Sequence, residues 1–212
     1  MNHLLSKIGS YPFEKLNLLH KDIKPSKEVI NLSIGEPKLN ADSKVLDILN
    51  KETNSFSNYP PMNAVPELSE AYRQYLKNHF GIENVAEDEV CLVAGTREGT
   101  FSIIQALFNK ENVKEKPYVV MPNPFYQIYG GATTLAGGEA KFLDCPEEDN
   151  FQPDLDSLKS EDWQKCQILV LCSPNNPTGS VLPLSKLKNI LDLAEKYDFY
   201  VVSDECYVDL YT

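Results

Sequence analysis

Arginine is scarce in this chain. Among 212 residues only Arg73 and Arg97 are arginines, and 20 cationic residues face 31 acidic ones, for a formal net charge of −11. No basic stripe exists to track phosphates, so nucleic-acid binding is excluded as the main task. No apolar run approaches the roughly 18–20 residues that cross a bilayer. The opening segment MNHLLSKIGSYPFEKL has neither the long apolar stretch nor the small-residue cleavage site of a secretory signal. Histidine is rare as well: His3, His20 and His79 stand far from every motif described below, which leaves no zinc ligand set, no other metal site and no Cys–His nucleophile. The cysteines Cys91, Cys145, Cys166, Cys172 and Cys206 are odd in number and contain no C-x-x-C pair; Cys91 and Cys172 lie within the apolar runs CLVAG and ILVLCS. They read as buried thiols acting as small core residues. With no export signal, they point to a reducing, cytoplasmic setting.

What is present has an ordinary globular balance, 42% apolar and 24% charged. The length suits one large domain or two small ones. Short apolar runs alternate with longer amphipathic ones. Strands are predicted at 29–34, 90–95, 117–122, 139–144, 167–173 and 199–204, and helices at 66–80, 97–109, 125–136 and 184–197. Gly81 is placed to stop the first of these helices. Leu184, Leu187, Ile190, Leu191 and Ala194 share one face of the last. The alternation predicts an α/β fold, a three-layer sandwich around a mostly parallel central sheet. The nearly all-apolar runs ILVL and YVV suit strands covered on both faces. Residues 145–162 are acidic and turn-rich and read as a solvated connection, and residues 1–28 as an arm.

In such a sheet ligands sit beyond the carboxyl ends of the strands, and four groups of residues fall there. Gly95-Thr96-Arg97 lies between a strand and a helix, where unpaired N–H groups and the helix dipole attract an anion such as phosphate. Tyr126, after Pro124-Phe125, offers a flat face to an aromatic ligand. Asn175-Asn176-Pro177-Thr178-Gly179 has the composition of a turn, and its asparagines also offer a neutral amide to a ligand oxygen. Asp204 ends a buried strand, a costly place for a carboxylate without a partner. A cationic ligand nitrogen would be one such partner.

Taken in order, G-E-P, Y-P-P, A-G-T-R-E, P-N-P-F-Y, S-P-N-N-P-T-G and S-D-E-C-Y resemble the fold-type I, class I/II aminotransferases, which use pyridoxal 5′-phosphate. Within that family, YPFEKL at 11–16, SIGEPK at 33–38 and PNPFYQIY at 122–129 resemble the bacterial N-succinyldiaminopimelate aminotransferases of lysine biosynthesis. The resemblance implies that Gly95, Thr96 and Arg97 hold the cofactor phosphate and that Tyr126 stacks on the pyridine ring. It implies that Asn176 and Tyr207 bond the ring's phenolic oxygen and that Asp204 pairs with the ring nitrogen. Gly35 and Asn176 would take part in substrate binding, and Tyr59 would reach the phosphate of a neighbouring subunit, which implies a homodimer. Cis peptide bonds are implied before Pro124 and Pro177. The implied partners are amino-acid and 2-oxo-acid substrates, with neither nucleic acid nor membrane.

Two departures accompany the resemblance. Ala64 and Ser69 stand where relatives usually carry glycine and arginine. The family's Schiff-base lysine, in a Ser-x-x-Lys context, has no counterpart within 1–212, so no catalytic lysine is assigned. The expected organisation is an N-terminal arm and start of a small domain over 1–30, then an incomplete cofactor-binding large domain over 31–212. A chain so composed is expected to be inactive alone and to bind the cofactor only without a covalent link. The alternatives are a non-catalytic binding protein or pseudoenzyme on the same fold, or an aminotransferase for another amino acid.

Overall fold

The computed structural model describes residues 2–9, 11–30, 32, 35, 40–57, 59, 65–111 and 117–210. The chain divides into two compact units, one of residues 11–92 and one of residues 1–10 with 93–212.

The first unit holds helices α1 (Pro12–His20), α2 (Ser43–Lys51) and α3 (Pro66–Phe80). Proline at the first turn suits α1 and α3, because its missing N–H would be unpaired there anyway. The Asp42 carboxylate caps α2 by accepting the Lys44 N–H at 2.8 Å. α3 ends where expected: Gly81, at φ +66°, takes the left-handed conformation and returns its N–H to the carbonyls of Leu76 and Lys77. Among the described residues of this unit only Ser69 is buried, and its hydroxyl has no hydrogen-bond partner. Two expected strands are not found here. Of the strand at 29–34, residues 31, 33 and 34 lie outside the described residues and the rest have no ladder. Residues 90–95, which straddle the unit boundary, form no ladder either, and Cys91 is exposed rather than buried. The apolar pattern was that of a strand, but a strand exists only where a neighbour takes its N–H and C=O groups. The departure at Ala64 falls outside the described residues.

The second unit contains the sheet. After α4 (Thr96–Leu107) come β1 (Tyr118–Asn123), α5 (Ile128–Ala136), β2 (Glu139–Asp144), α6 (Ser160–Trp163), β3 (Cys166–Cys172), α7 (Leu184–Tyr197) and β4 (Tyr200–Asp204). The strands run parallel in the order β2-β1-β3-β4. From β1 the chain goes to one side, to β2, and then crosses to the other side, to β3, so the winding reverses at the β1–β3 crevice. Alternate residues divide between two layers. Val119, Met121, Ile168 and Val170 pack with Ile104, Phe108, Tyr129 and Ala132 of the α4–α5 side. Val120, Leu143, Leu169 and Leu171 pack with Trp163, Ile190 and Phe199 on the opposite side. This is the expected three-layer α/β sandwich.

Some details differ from expectation. β1 and β3 are central and buried, whereas β4 pairs with β3 alone among the described residues, with Tyr200 exposed. On α7, Leu184 and Leu191 face solvent, and the packed stripe is Leu187, Ile190, Leu193 and Ala194. The acidic stretch 145–162 is not a solvated loop: Leu158 is buried and Leu155 packs against the same core. Short 3-10 turns let a few apolar residues anchor it while its charges stay outside. Cys166 and Cys172 are buried as expected; Cys145 is half-buried and Cys206 exposed. The peptide bonds before Pro124 and Pro177 are cis, as is that before Pro174.

Candidate functional site

The carboxyl ends of β1, β3 and β4 and the N-terminus of α4 meet at a cleft of about 90 Å³. Thr96, Arg97, Tyr126, Asn176, Asp204 and Tyr207 line it, joined by Tyr129, Cys172 and Cys206. Six of the expected side chains, spread over 112 positions of sequence, therefore share one wall. The register explains part of this: Cys172 and Asp204 pair across β3 and β4, so both strands end at the same level.

At the rim, Gly95 is the residue before α4, at φ +105° and ψ 154° with no side-chain cap on the helix. A Cβ there would meet open space but would be strained by that φ, so glycine suits the position for conformational reasons. The uncapped first turn leaves backbone N–H donors and the positive end of the helix dipole directed at the cleft. Arg97 donates from Nε to the Tyr126 hydroxyl at 2.8 Å, which ties the flat ring to the helix terminus.

The Asn-Asn-Pro-Thr-Gly loop divides its work. Asn175 builds the turn: its Nδ2 donates to Thr178 Oγ1 at 2.8 Å, and its carbonyl accepts the Gly179 N–H at 2.7 Å. Asn176 is thereby spared for the cleft, where its Nδ2 lies 3.4 Å from the Tyr207 hydroxyl. Two groups expected to bond one ligand oxygen thus stand side by side.

Asp204 is 8% exposed. Its Oδ1 accepts the Cys206 N–H at 3.3 Å and its Oδ2 accepts the Tyr129 hydroxyl at 2.8 Å. The sequence reading found the buried carboxylate and missed Tyr129, which stands three residues past Tyr126 on the first turn of α5. The available signal was its place on the first turn of the helix that follows the carboxyl end of β1, where ligand-contacting residues gather. Burial pushes the Tyr129 hydroxyl far above its usual pKa, and the hydrogen bond to Asp204 adds to the rise. Burial likewise pushes the Cys206 thiol up to about 12, with the Asp204 charge next in importance, and raises Cys172 and Tyr207. Around Asp204, then, the thiols and phenols remain protonated donors. Such a site favours a ligand with a cationic nitrogen at depth and an anionic group at the α4 terminus.

Pyridoxal phosphate has both, and the donor set fits it: N–H groups at a helix end for phosphate, an aromatic face at Tyr126, a paired amide and phenol for a ring oxygen, and a buried carboxylate for the ring nitrogen. Among the described residues, no lysine lines the cleft. Tyr59 and Gly35 belong to the other unit, where Tyr59 is fully exposed and a Cβ on Gly35 would meet open space. The described residues contain no cluster suited to a metal ion and no helix long and apolar enough to cross a membrane.

The family model of aminotransferase class I and II matches residues 27–212. An aspartate aminotransferase of Pyrococcus horikoshii is 30% identical over 91% of this chain and 48% of its own length. An LL-diaminopimelate aminotransferase of Natranaerobius thermophilus is 26% identical over 98% of the chain and 53% of its own. Among solved structures, an aminotransferase of Neisseria meningitidis superposes with a TM-score of 0.92 at 41% identity, covering 100% of this chain and 54% of that one. The chain spans about half the length of the curated relatives it matches.

Proposed function

Since this chain belongs to the class I and II aminotransferases, a pyridoxal-phosphate-dependent family, we propose that it carries the cofactor-holding half of a transaminase of diaminopimelate and lysine biosynthesis. The proposed reaction moves an amino group between glutamate and N-succinyl-2-amino-6-oxopimelate. The carrying observation is the buried Asp204 carboxylate at the end of β4, in one cleft with Tyr126, Asn176, Tyr207 and the α4 N-terminus. The relatives named for LL-diaminopimelate support the substrate class. Those named for aspartate favour a second reading, a transaminase of a shorter acidic amino acid.

Bound pyridoxal phosphate supplies an electron-withdrawing ring that stabilises negative charge at an amino acid's α-carbon. The chain's residues make that ring usable. Asp204 holds a proton at the ring nitrogen. Tyr126 covers one ring face and Arg97 fixes the tilt of Tyr126. Asn176 and Tyr207 orient the ring through its phenolic oxygen. Gly95, Thr96 and Arg97 hold the phosphate. Gly35 offers its backbone N–H to the substrate carboxylate, Asn176 takes part in substrate binding, and Tyr59 completes the phosphate site of a second subunit in a homodimer.

Equilibrium dialysis of the chain against pyridoxal phosphate tests the cleft. Asp204→Asn removes a charge-assisted bond worth about 1.5–3 kcal/mol and should weaken binding roughly ten- to hundredfold. Borohydride treatment should leave no stoichiometric pyridoxyl lysine, in keeping with a cleft that no lysine lines among the described residues. For the substrate, amino transfer from glutamate to N-succinyl-2-amino-6-oxopimelate is compared with transfer from LL-diaminopimelate and from aspartate, in the protein that contains this chain. Turnover of aspartate alone would replace the first assignment by the second.

A further inference from the structure

We infer that Tyr129 is a positioning residue for the cofactor, acting through Asp204. The inference deepens the reading of the cleft given above and rests on it. Tyr129 is 1% exposed and belongs to the core cluster between the sheet and α4–α5. A tyrosine used only for packing would leave a buried hydroxyl to be satisfied. Here the hydroxyl donates to Asp204 Oδ2 at 2.8 Å across 75 residues of sequence. The ring also meets Tyr126 edge to face, with centroids 5.8 Å apart and planes at 88°. One side chain thus touches both the residue for the ring face and the residue for the ring nitrogen.

The backbone holds Tyr129 in place. Its N–H donates to the Tyr126 carbonyl at 3.1 Å, and its carbonyl accepts the buried Thr133 hydroxyl at 2.7 Å. A carboxylate offers about four lone-pair directions. Tyr129 and the Cys206 N–H take one on each oxygen, which fixes the carboxylate plane and leaves acceptor capacity for a pyridinium N–H. Because the phenol donates to Oδ2, it holds the carboxyl group in one orientation.

The test uses pyridoxamine 5′-phosphate, which carries the same ring and phosphate and forms no Schiff base with lysines. Its affinity for the full chain is measured by equilibrium dialysis in the unaltered protein, Tyr129→Phe, Asp204→Asn and the double variant. Its ring nitrogen is followed by 15N NMR. Tyr129→Phe should weaken binding about three- to tenfold and move the ring-nitrogen resonance toward the unprotonated value. In the Asp204→Asn background the same change should do neither, since the route of action is gone. An equal loss in both backgrounds, or no loss in either, overturns the inference and leaves Tyr129 a core residue. If the unaltered chain does not take up pyridoxamine phosphate, the reading of the cleft falls first and the inference with it. If Tyr129→Phe does not fold, as judged by circular dichroism, the 13Cζ resonance of Tyr129 in the unaltered chain decides. A ligand-induced shift supports the coupling to Asp204, and its absence overturns it.

Discussion

Helices α2 and α7 are written alike, with apolar residues at helical spacing among charges, yet their surroundings differ completely. Ile190 of α7 is fully buried against the sheet, while Ile48 of α2 is 62% exposed. The contrast extends to the two units. The unit of residues 93–212 with 1–10 holds every buried apolar side chain among the described residues, and the unit of 11–92 buries only Ser69. Amphipathic spacing prepares a face; a core forms only where a second layer meets it. In this chain that second layer is a sheet. A sheet presents two apolar faces at once, so four strands organise the helices on both sides.

The largest effect that probes this contrast is chemical. Cys91 and Cys206 are both exposed, the first in the unit of residues 11–92 and the second beside Asp204. With its pKa pushed up to about 12, mainly by burial of the sulfur's surroundings, Cys206 is roughly one part in ten thousand thiolate at pH 8. Its greater intrinsic nucleophilicity offsets part of that. Iodoacetamide labelling followed by peptide mass analysis should show Cys206 reacting about a hundredfold more slowly than Cys91, and gaining about tenfold per pH unit. Equal rates would mean that exposure alone governs both.

Next comes the core itself. Leu169→Ala, at a fully buried position of β3, should lower unfolding free energy by about 2–5 kcal/mol in urea titrations. That is a large share of a typical total of about 5–15 kcal/mol.

A third effect concerns pH. Burial raises the Cys166 thiol to about 12, above its value in the unfolded chain, so the folded state retains a proton that the unfolded state releases. Its stability contribution is full below the ordinary thiol pKa and is lost as pH rises from about 9 to 12, with a slope approaching 1.4 kcal/mol per pH unit. Denaturant midpoints for the unaltered chain and Cys166→Ala, compared at pH 8 and pH 10.5, should differ in their pH trend by this slope. Parallel trends would refute it.

The smallest effect is at α2, where Ile48→Ala should change stability by no more than about 0.5 kcal/mol. A loss as large as that of Leu169→Ala would show that α2 packs its apolar face in solution and would remove the contrast between the units.

Most elements of the sheet unit were legible because each carries its signal locally. Residues 139–144 and 184–197 matched to the residue, since alternating and helical periodicity ended at clear punctuation. Residues 90–95 did not, because pairing belongs to two segments and the apolar run shows only one. Cys91 was misjudged for the same reason: an apolar neighbourhood in sequence is not one in space. In the cleft, Gly95, Asn176 and Asp204 were legible as residues costly or unusual in their positions. Tyr129 was hidden because a core tyrosine and a tyrosine that bonds a carboxylate look identical in sequence, and its partner lies 75 residues away.

By itself the sequence determined the α/β alternation, the strand ends where function gathers, and the family whose motifs stand there, all of which depend on residue type and short spacing. The strand order β2-β1-β3-β4, the burial of apolar faces in one unit, and the hydrogen bonds of Tyr129 to Asp204 and of Arg97 to Tyr126 came from the tertiary structure alone. Those outcomes depend on which distant segments come within a few ångströms of each other. Dispersion, desolvation and hydrogen bonding act only at that range, and no local pattern encodes it.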